Sequence, residues 1–255
     1  MEVLAIVPAR GGSKSIHRKN LIDFLGKPLL AWSVEAGRQA DQVSRIIVST
    51  EDEEMAAVAR AHGADVPFLR PAALAEDHVR DLPVFEHALR WLEREEGYVP
   101  DLVVQLRPTS PIRPAGLIDE AISMLAARPD ADSLRTVSIS PHSPYKMWKV
   151  EGGLLEPVVD SGVPEQHDAP RQALPPVYLQ NGLLDVIRTA TILEHGSMSG
   201  STILAMVLDR QLDADIDDQR SLEWAIARAQ ELGYGPGGAA DPGVAPASDP
   251  GGVVR

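Results

Sequence analysis

Short apolar runs separated by helix-length stretches recur through the first half of this chain, and that alternation restricts the fold more than any other feature. Val3–Val7 (VLAIV), Arg45–Ser49 (RIIVS) and Leu102–Leu106 (LVVQL) are too short for helices and carry apolar side chains at nearly every position. Such runs suit strands buried on both faces. Helical patterns lie between and after them: Lys27–Pro28 to about Ala40, Thr50 to about His62, Asp81–Glu95 and Ala115–Ala127. Proline is tolerated in the first turn of the first helix, Thr50 with Glu53 is a candidate capping box for the second, and Gly63 ends it. Asp65–Leu69 reads as a further extended stretch. Strands alternating with helices predict a mainly parallel sheet with helices on both faces.

The alternation breaks after Ser138. Ser140–Pro176 is rich in proline and has a Gly152-Gly153 turn between β-like segments, which predicts an inserted flap or a small antiparallel excursion. Tyr178–Ile187 and Ile203–Val207 resume strand character, and Gln219–Leu232 is an amphipathic helix. From Gly233 to Arg255 the chain is dominated by Gly and Pro, so it is expected to be a disordered tail. The 255 residues thus divide into one domain, 1–232, and a tail, 233–255.

Four motifs invite a chemical reading. The first is the loop after Val3–Val7, which carries Arg10, Lys14, Arg18 and Lys19 with no acidic residue between Val3 and Ile22, although the chain has a net charge of −13. Glycines let backbone N–H groups approach an anion, and cations add charge-assisted hydrogen bonds, so the loop suits phosphate. It lacks the spacing of a P-loop or a dinucleotide fingerprint, and a solvated basic turn is the plain alternative. The second is Gln105–Arg113 (QLRPTSPIR), at the carboxyl end of a strand, where open α/β sheets bind ligands; Ser110-Pro111 could equally be turn chemistry. The third is Pro170–Gly182 (PRQALPPVYLQNG), in which Arg171 could be a surface charge. The fourth is Asp213–Asp218 (DADIDD). Alternation puts Asp215 and Asp217 on one face, suited to a hard divalent cation, while Asp217 or Asp218 could instead cap the helix at Gln219.

The acidic balance argues against general nucleic-acid binding. With no cysteine, a metal would need oxygen or histidine ligands, and the histidines show no ligand spacing. The N-terminus has no basic leader, and no run approaches the ~18 apolar residues of a membrane span. A cytoplasmic enzyme is the default expectation.

Pro8–Asn20 resembles the P-A-R-G-G-S-K-x-x-x-R-K-N signature of the acylneuraminate cytidylyltransferase (CMP-sialic acid synthetase) family, which activates nine-carbon acidic sugars. QLRPTSPIR is similar to that family's Q-P-T-S-P-L-R, with Leu106-Arg107 inserted after the glutamine. PRQALP…NG and Asp215-Ile216-Asp217 resemble its P-R-Q-x-L-P…N-G and D-I-D. The resemblance implies a three-layer, nucleotide-diphospho-sugar-transferase-like α/β fold with a mixed sheet, and a homodimer built through an excursion at about 140–176. It implies that Ala9, Arg10, Gly11, Gly12, Ser13, Lys14, Arg18, Lys19 and Asn20 wrap the triphosphate of CTP. Arg70, in an R-P-x-x-L-A-x-D-like loop, lies near the base, and Ser110 near the nucleotide.

The same resemblance implies that Gln105, Lys146, Arg171, Gln172, Tyr178 and Asn181 meet the acidic sugar. Asp215 and Asp217 hold Mg²⁺ and, with Arg10 and Lys19, are the catalytic set. Met147 and Trp148 are expected to be packing residues. Sialic acid synthetases often line the sugar site with a partner's aromatics; His195–Gly200 has none here, which resembles the legionaminic branch. Two rivals are a same-fold nucleotidyltransferase with another acceptor or nucleotide, and a non-catalytic nucleotide-binding module.

Overall fold

A computed structural model of the chain describes residues 1–235. Its strands are β1 (Val3–Pro8), β2 (Asp23–Phe24), β3 (Lys27–Pro28), β4 (Arg45–Ser49), β5 (Leu102–Gln105), β6 (Ser133–Ile139), β7 (Trp148–Glu151), β8 (Leu154–Pro157), β9 (Tyr178–Arg188) and β10 (Ile203–Leu208). Its helices are α1 (Leu29–Gln39), α2 (Glu53–Ala61), α3 (Asp81–Glu96), α4 (Leu117–Ala126), α5 (Thr189–Leu193) and α6 (Gln219–Glu231). Six strands form the central sheet in the order β10-β6-β9-β5-β1-β4. All run parallel except β9, which is antiparallel to both β5 and β6. The sheet is therefore mixed, as expected.

The unbroken apolar character of β1 follows from burial on both sides. Val3, Ala5 and Val7 enter one core with residues of α1, α2, α4 and α6, while Leu4 and Ile6 enter the other with residues of α3 and α5. Three layers result. In α3, Val84, Phe85, Ala88, Leu89 and Leu92 form one buried stripe, and fully burying a side chain such as Phe85 contributes about 1.5–3 kcal/mol. Gly37 lets α1 approach the sheet: a Cβ there would stand 2.5 Å from Ile46 Cδ1.

Several local expectations need correction. Asp52, not Thr50, caps α2, accepting from Met55 N at 2.9 Å. Asp65–Leu69 forms only a single bridge to Ile47 rather than a strand; Pro67 has no N–H to extend the ladder. Trp148 is not core packing but is 41% exposed, stacked on His167, and Met147 is 43% exposed. Tyr234 is buried against Trp32, so its expected place in a disordered tail is wrong. Residues 236–255 of that tail lie outside the described residues. Among the described residues no helix is long and apolar enough to cross a membrane.

Parallel strands point their carboxyl ends to one edge of the sheet, and reversed β9 brings its amino end there. The loops after β1, β4, β5 and β10, the excursion after β6, and Asn181 near the start of β9 consequently gather at a single edge. β7 and β8 form the antiparallel hairpin of that excursion.

Candidate active site

The loop after β1 is pinned from several sides. Ala9 N donates to Ser49 O at 3.0 Å, and Asn20 Nδ2 donates to Arg10 O at 3.0 Å. Gly11 N, read from the sequence as a phosphate donor, donates instead to Glu51 Oε1 at 2.7 Å, whose other oxygen accepts from buried Arg70 at 3.0 Å. Arg18 adopts a left-handed backbone (φ 52°) and pairs with Asp52 and Glu54, which turns its charge toward the start of α2 rather than into the cleft. Arg10 and Lys14 both pair with Asp77, Arg10 at 2.8 Å. Those two cations hold the Asp77 carboxyl below the usual carboxylate range, Lys14 contributing most.

Lys19 connects this loop to the other end of the chain. Its Nζ donates to Ile216 O at 2.7 Å and stands 3.9 Å from Asp217 Oδ1. Ile216 N in turn donates to Thr109 O at 2.8 Å, so the loops after β1, β5 and β10 are joined at one point. Ile216 is fully buried while Asp215 and Asp217 are exposed, as the alternation predicted. Asp218 takes the capping role, sharing a reciprocal capping box with Ser221. Asp215 and Asp217 are thereby left for other work. Desolvation and then the like charge of Asp217 hold the Asp215 carboxyl above its ordinary range, against a hydrogen bond from Thr109.

A cleft of about 630 Å³ opens at this edge, lined by Arg10, Ser13, Lys14, Lys19, Asn20, Arg70, Asp77, Asp81, Arg107, Thr109 and Asp217, among others. Most loop residues predicted for the nucleotide therefore share one cavity with Arg70 and Asp217. Gly12 borders an adjoining hollow, and Ala9 is buried. Ser110 is buried with Oγ unpartnered, beneath Gly182, whose φ of +72° lets β9 bend there. Gln105 is buried, donating through Nε2 to Asp81 at 2.7 Å. Asn181 is buried as well, its Nδ2 unpartnered. Arg171 and Gln172 do not reach this cleft; they line a second hollow with Arg210, and Arg171 donates to the carbonyls of Ser140 and Pro141. Lys146 and Tyr178 are exposed on the same excursion side.

Sequence reasoning missed several residues that build the cleft. Asp81 and Asp185 are lone acids without a motif, and only their partners reveal them, while Asp77 closes the R-P-x-x-L-A-x-D-like loop of Arg70 without a role of its own. Arg113 lay inside a noted motif but received no role. It is buried without a carboxylate partner, and its three nitrogens donate to Leu183 O, Ser33 Oγ and Arg107 O at 2.7, 2.9 and 2.7 Å. Burial pushes its pKa well below the usual arginine range. Each such charge-assisted bond contributes about 1.5–3 kcal/mol, and together they fix the turn that presents Arg107 and Thr109 to the cleft.

A carboxylate pair beside a cation-lined cleft at the strand ends, with Asp217 in the lining, is equipment suited to a nucleotide-handling α/β transferase. Magnesium prefers one or two carboxylates plus substrate phosphates and water. An exposed Asp215/Asp217 pair fits that ion, although no group of three or more such ligands occurs among the described residues. Residues 4–152, more than half of the chain, match the cytidylyltransferase family model, and the chain belongs to that family.

Relatives sharpen the placement. The chain is 29% identical over 235 residues to the N-acylneuraminate cytidylyltransferase of Escherichia coli O18:K1:H7, covering 90% of this chain and 52% of that one. It is 29% identical over 230 residues to the CMP-N,N'-diacetyllegionaminic acid synthase of Legionella pneumophila, covering 89% and 94%. The chain spans about half the length of the first curated relatives it matches. Its fold is similar to that of a CMP:2-keto-3-deoxy-manno-octonic acid synthetase complexed with CTP, with a TM-score of 0.68, 16% identity, and coverage of 91% and 100%.

Proposed function

We propose that this chain transfers the cytidylyl group of CTP to the anomeric hydroxyl of an acidic nine-carbon keto sugar, a nonulosonic acid, with release of pyrophosphate. The observation that carries the reading is the Lys19 junction, which sets a phosphate-type loop against the segment that carries Asp215 and Asp217, with Asp217 lining the same cleft. The hydroxyl oxygen forms a bond to the α-phosphorus, the bond from that phosphorus to the bridging oxygen breaks, and the hydroxyl proton passes to solvent. Such chemistry is mainly positioning and charge neutralisation. Arg10, Lys14 and Lys19 would hold the β- and γ-phosphates that leave, and Arg70 stands on the side expected for the base. Asp215 and Asp217 would hold Mg²⁺, which supplies positive charge to the α-phosphate and the attacking hydroxyl.

The nonulosonic acid is best sought in the legionaminic branch, supported by the end-to-end match to the Legionella synthase and by the absence of aromatics at His195–Gly200. Pyrophosphate release on mixing the protein with CTP, Mg²⁺ and N-acetylneuraminate, N,N'-diacetyllegionaminate or pseudaminate tests the reading. Release with legionaminate at the highest kcat/KM is expected. Release only with an unrelated keto acid would favour the rival acceptor, and CTP binding without release would favour a binding module. Cytoplasmic residence accords with the use of CTP.

A homodimer is part of the proposal. On the β7–β8 hairpin, Val150, Leu154 and Leu155 are 71%, 72% and 59% exposed. An isolated hairpin is marginal in water, and clustered exposed apolar side chains favour burial against a partner. The double change Val150→Asp, Leu154→Asp is expected to convert dimer to monomer in light scattering at micromolar concentration; a wild-type monomer, or a variant that stays dimeric, would refute it.

A further inference from the structure

The cleft holds one charged network that neither the phosphate loop nor the carboxylate pair explains. Arg107 follows β5 and is about one-quarter exposed. It donates to Asp81 Oδ2 at 3.2 Å and to Asp185 Oδ2 at 3.1 Å. Asp81 opens α3 and also accepts from Gln105 Nε2. Asp185, on β9, is 1% exposed, and Arg135 of β6 stands 3.6 Å from its other oxygen. Four elements thus assemble two cations and two carboxylates of zero net charge.

Its place follows from the sheet order. The phosphate loop follows β1, and Arg70 lies beyond β4, whereas Asp185 and Arg135 sit on β9 and β6, across β5 from both. Through Arg107 and Asp81, which line the cleft, the network reaches it from the β9 and β6 side, toward the excursion that carries Arg171. On the functional reading above, that wall of the cleft is where the acceptor would meet the nucleotide.

The chemistry of the wall limits what it can bind. Arg107 already bridges two carboxylates, so a third carboxylate at its remaining N–H groups would meet the like charges of Asp81 and Asp185 in a network with no positive charge to spare. A hydroxyl or amide meets no such repulsion. It can donate to the free lone pairs of Asp81, which is 44% exposed, and accept one of the remaining guanidinium N–H groups. Buried Gln105 Oε1, next to Asp81, likewise has no donor, and buried acceptors are nearly always paired.

We propose that Asp81 and Arg107 are specificity-determining residues that read neutral hydroxyl or N-acyl groups of the acceptor sugar, leaving its carboxylate to be held elsewhere. This rests on the functional reading above. The test uses the full chain with CTP, Mg²⁺ and whichever of N-acetylneuraminate, N,N'-diacetyllegionaminate and pseudaminate the wild type turns over. Asp81→Asn and Arg107→Gln are expected to raise the sugar KM at least tenfold while the CTP KM stays within twofold. At least one deoxy or de-N-acetyl analogue should lose on the wild type the factor that Asp81→Asn loses, and lose nothing further on that variant. Arg107→Gln strands Asp185 and can lower the melting temperature, so Asp81→Asn, at an exposed position, decides. An unchanged sugar KM, a matching rise in CTP KM, or losses that simply multiply for every analogue would overturn the assignment while sparing the functional reading. Absence of turnover by the wild type with all three sugars would overturn that reading, and this inference with it.

Discussion

Lys19→Ala is expected to lower kcat/KM for CTP by about 10³-fold, equivalent to about 4 kcal/mol of transition-state stabilisation. The side chain is 14% exposed, and its ammonium rests on Ile216 O beside Asp217. Truncation removes a cation from the wall of the cleft that meets the triphosphate. It also removes the hydrogen bond that ties this lysine's loop to the Asp215–Asp217 segment, so two functions fail together. Lys19→Arg separates them. A guanidinium keeps the charge but not the single-point reach to a carbonyl, so an intermediate loss, mostly in kcat, is expected. Steady-state kinetics with a pyrophosphate readout measures both, and a loss below tenfold for Lys19→Ala would refute the role.

Asp215→Asn and Asp217→Asn are each expected to abolish measurable turnover while leaving the melting temperature within about 3 °C. Both carboxylates face outward from an extended segment anchored by buried Ile216, so their replacement by isosteric amides disturbs no packing. Asp218→Asn is the control. Its side chain serves the cap of α6, and asparagine caps nearly as well, so activity should stay near wild type. A Mg²⁺ titration completes the comparison: wild-type activity rises and saturates, whereas the two variants stay silent at every concentration. Unchanged rates for either variant at saturating magnesium would exclude that residue from the metal role.

How much of this was readable beforehand depended on whether the signal was local. β1, β4 and β5 announced themselves because two-sided burial gives each a run of consecutive apolar residues, with polar ones only at the ends. β6 did not, since Arg135 and its serines and threonine hide a strand whose polar groups serve Asp185, Leu184 and Asp213. The five-residue α5 is too short to show a period. The phosphate loop and the D-I-D were legible as dense local patterns with a chemical meaning. Other acids of the cleft were not: Asp81 and Asp185 acquire roles only through partners up to 78 positions away. Resemblance supplied Arg171 and Gln172, yet the chain places them in a separate hollow with Arg210.

Asp77, which holds Arg10 and Lys14 together, gives the phosphate loop a resident counterion. Nucleotide arrival is then an exchange of partners rather than the filling of a bare positive field. Long-range attraction is correspondingly muted, and with it the sensitivity of encounter to ionic strength. On the proposed reaction the same arrangement would ease departure: as pyrophosphate left, the two cations would return to a carboxylate already beside them, so the loop need not cling to its product.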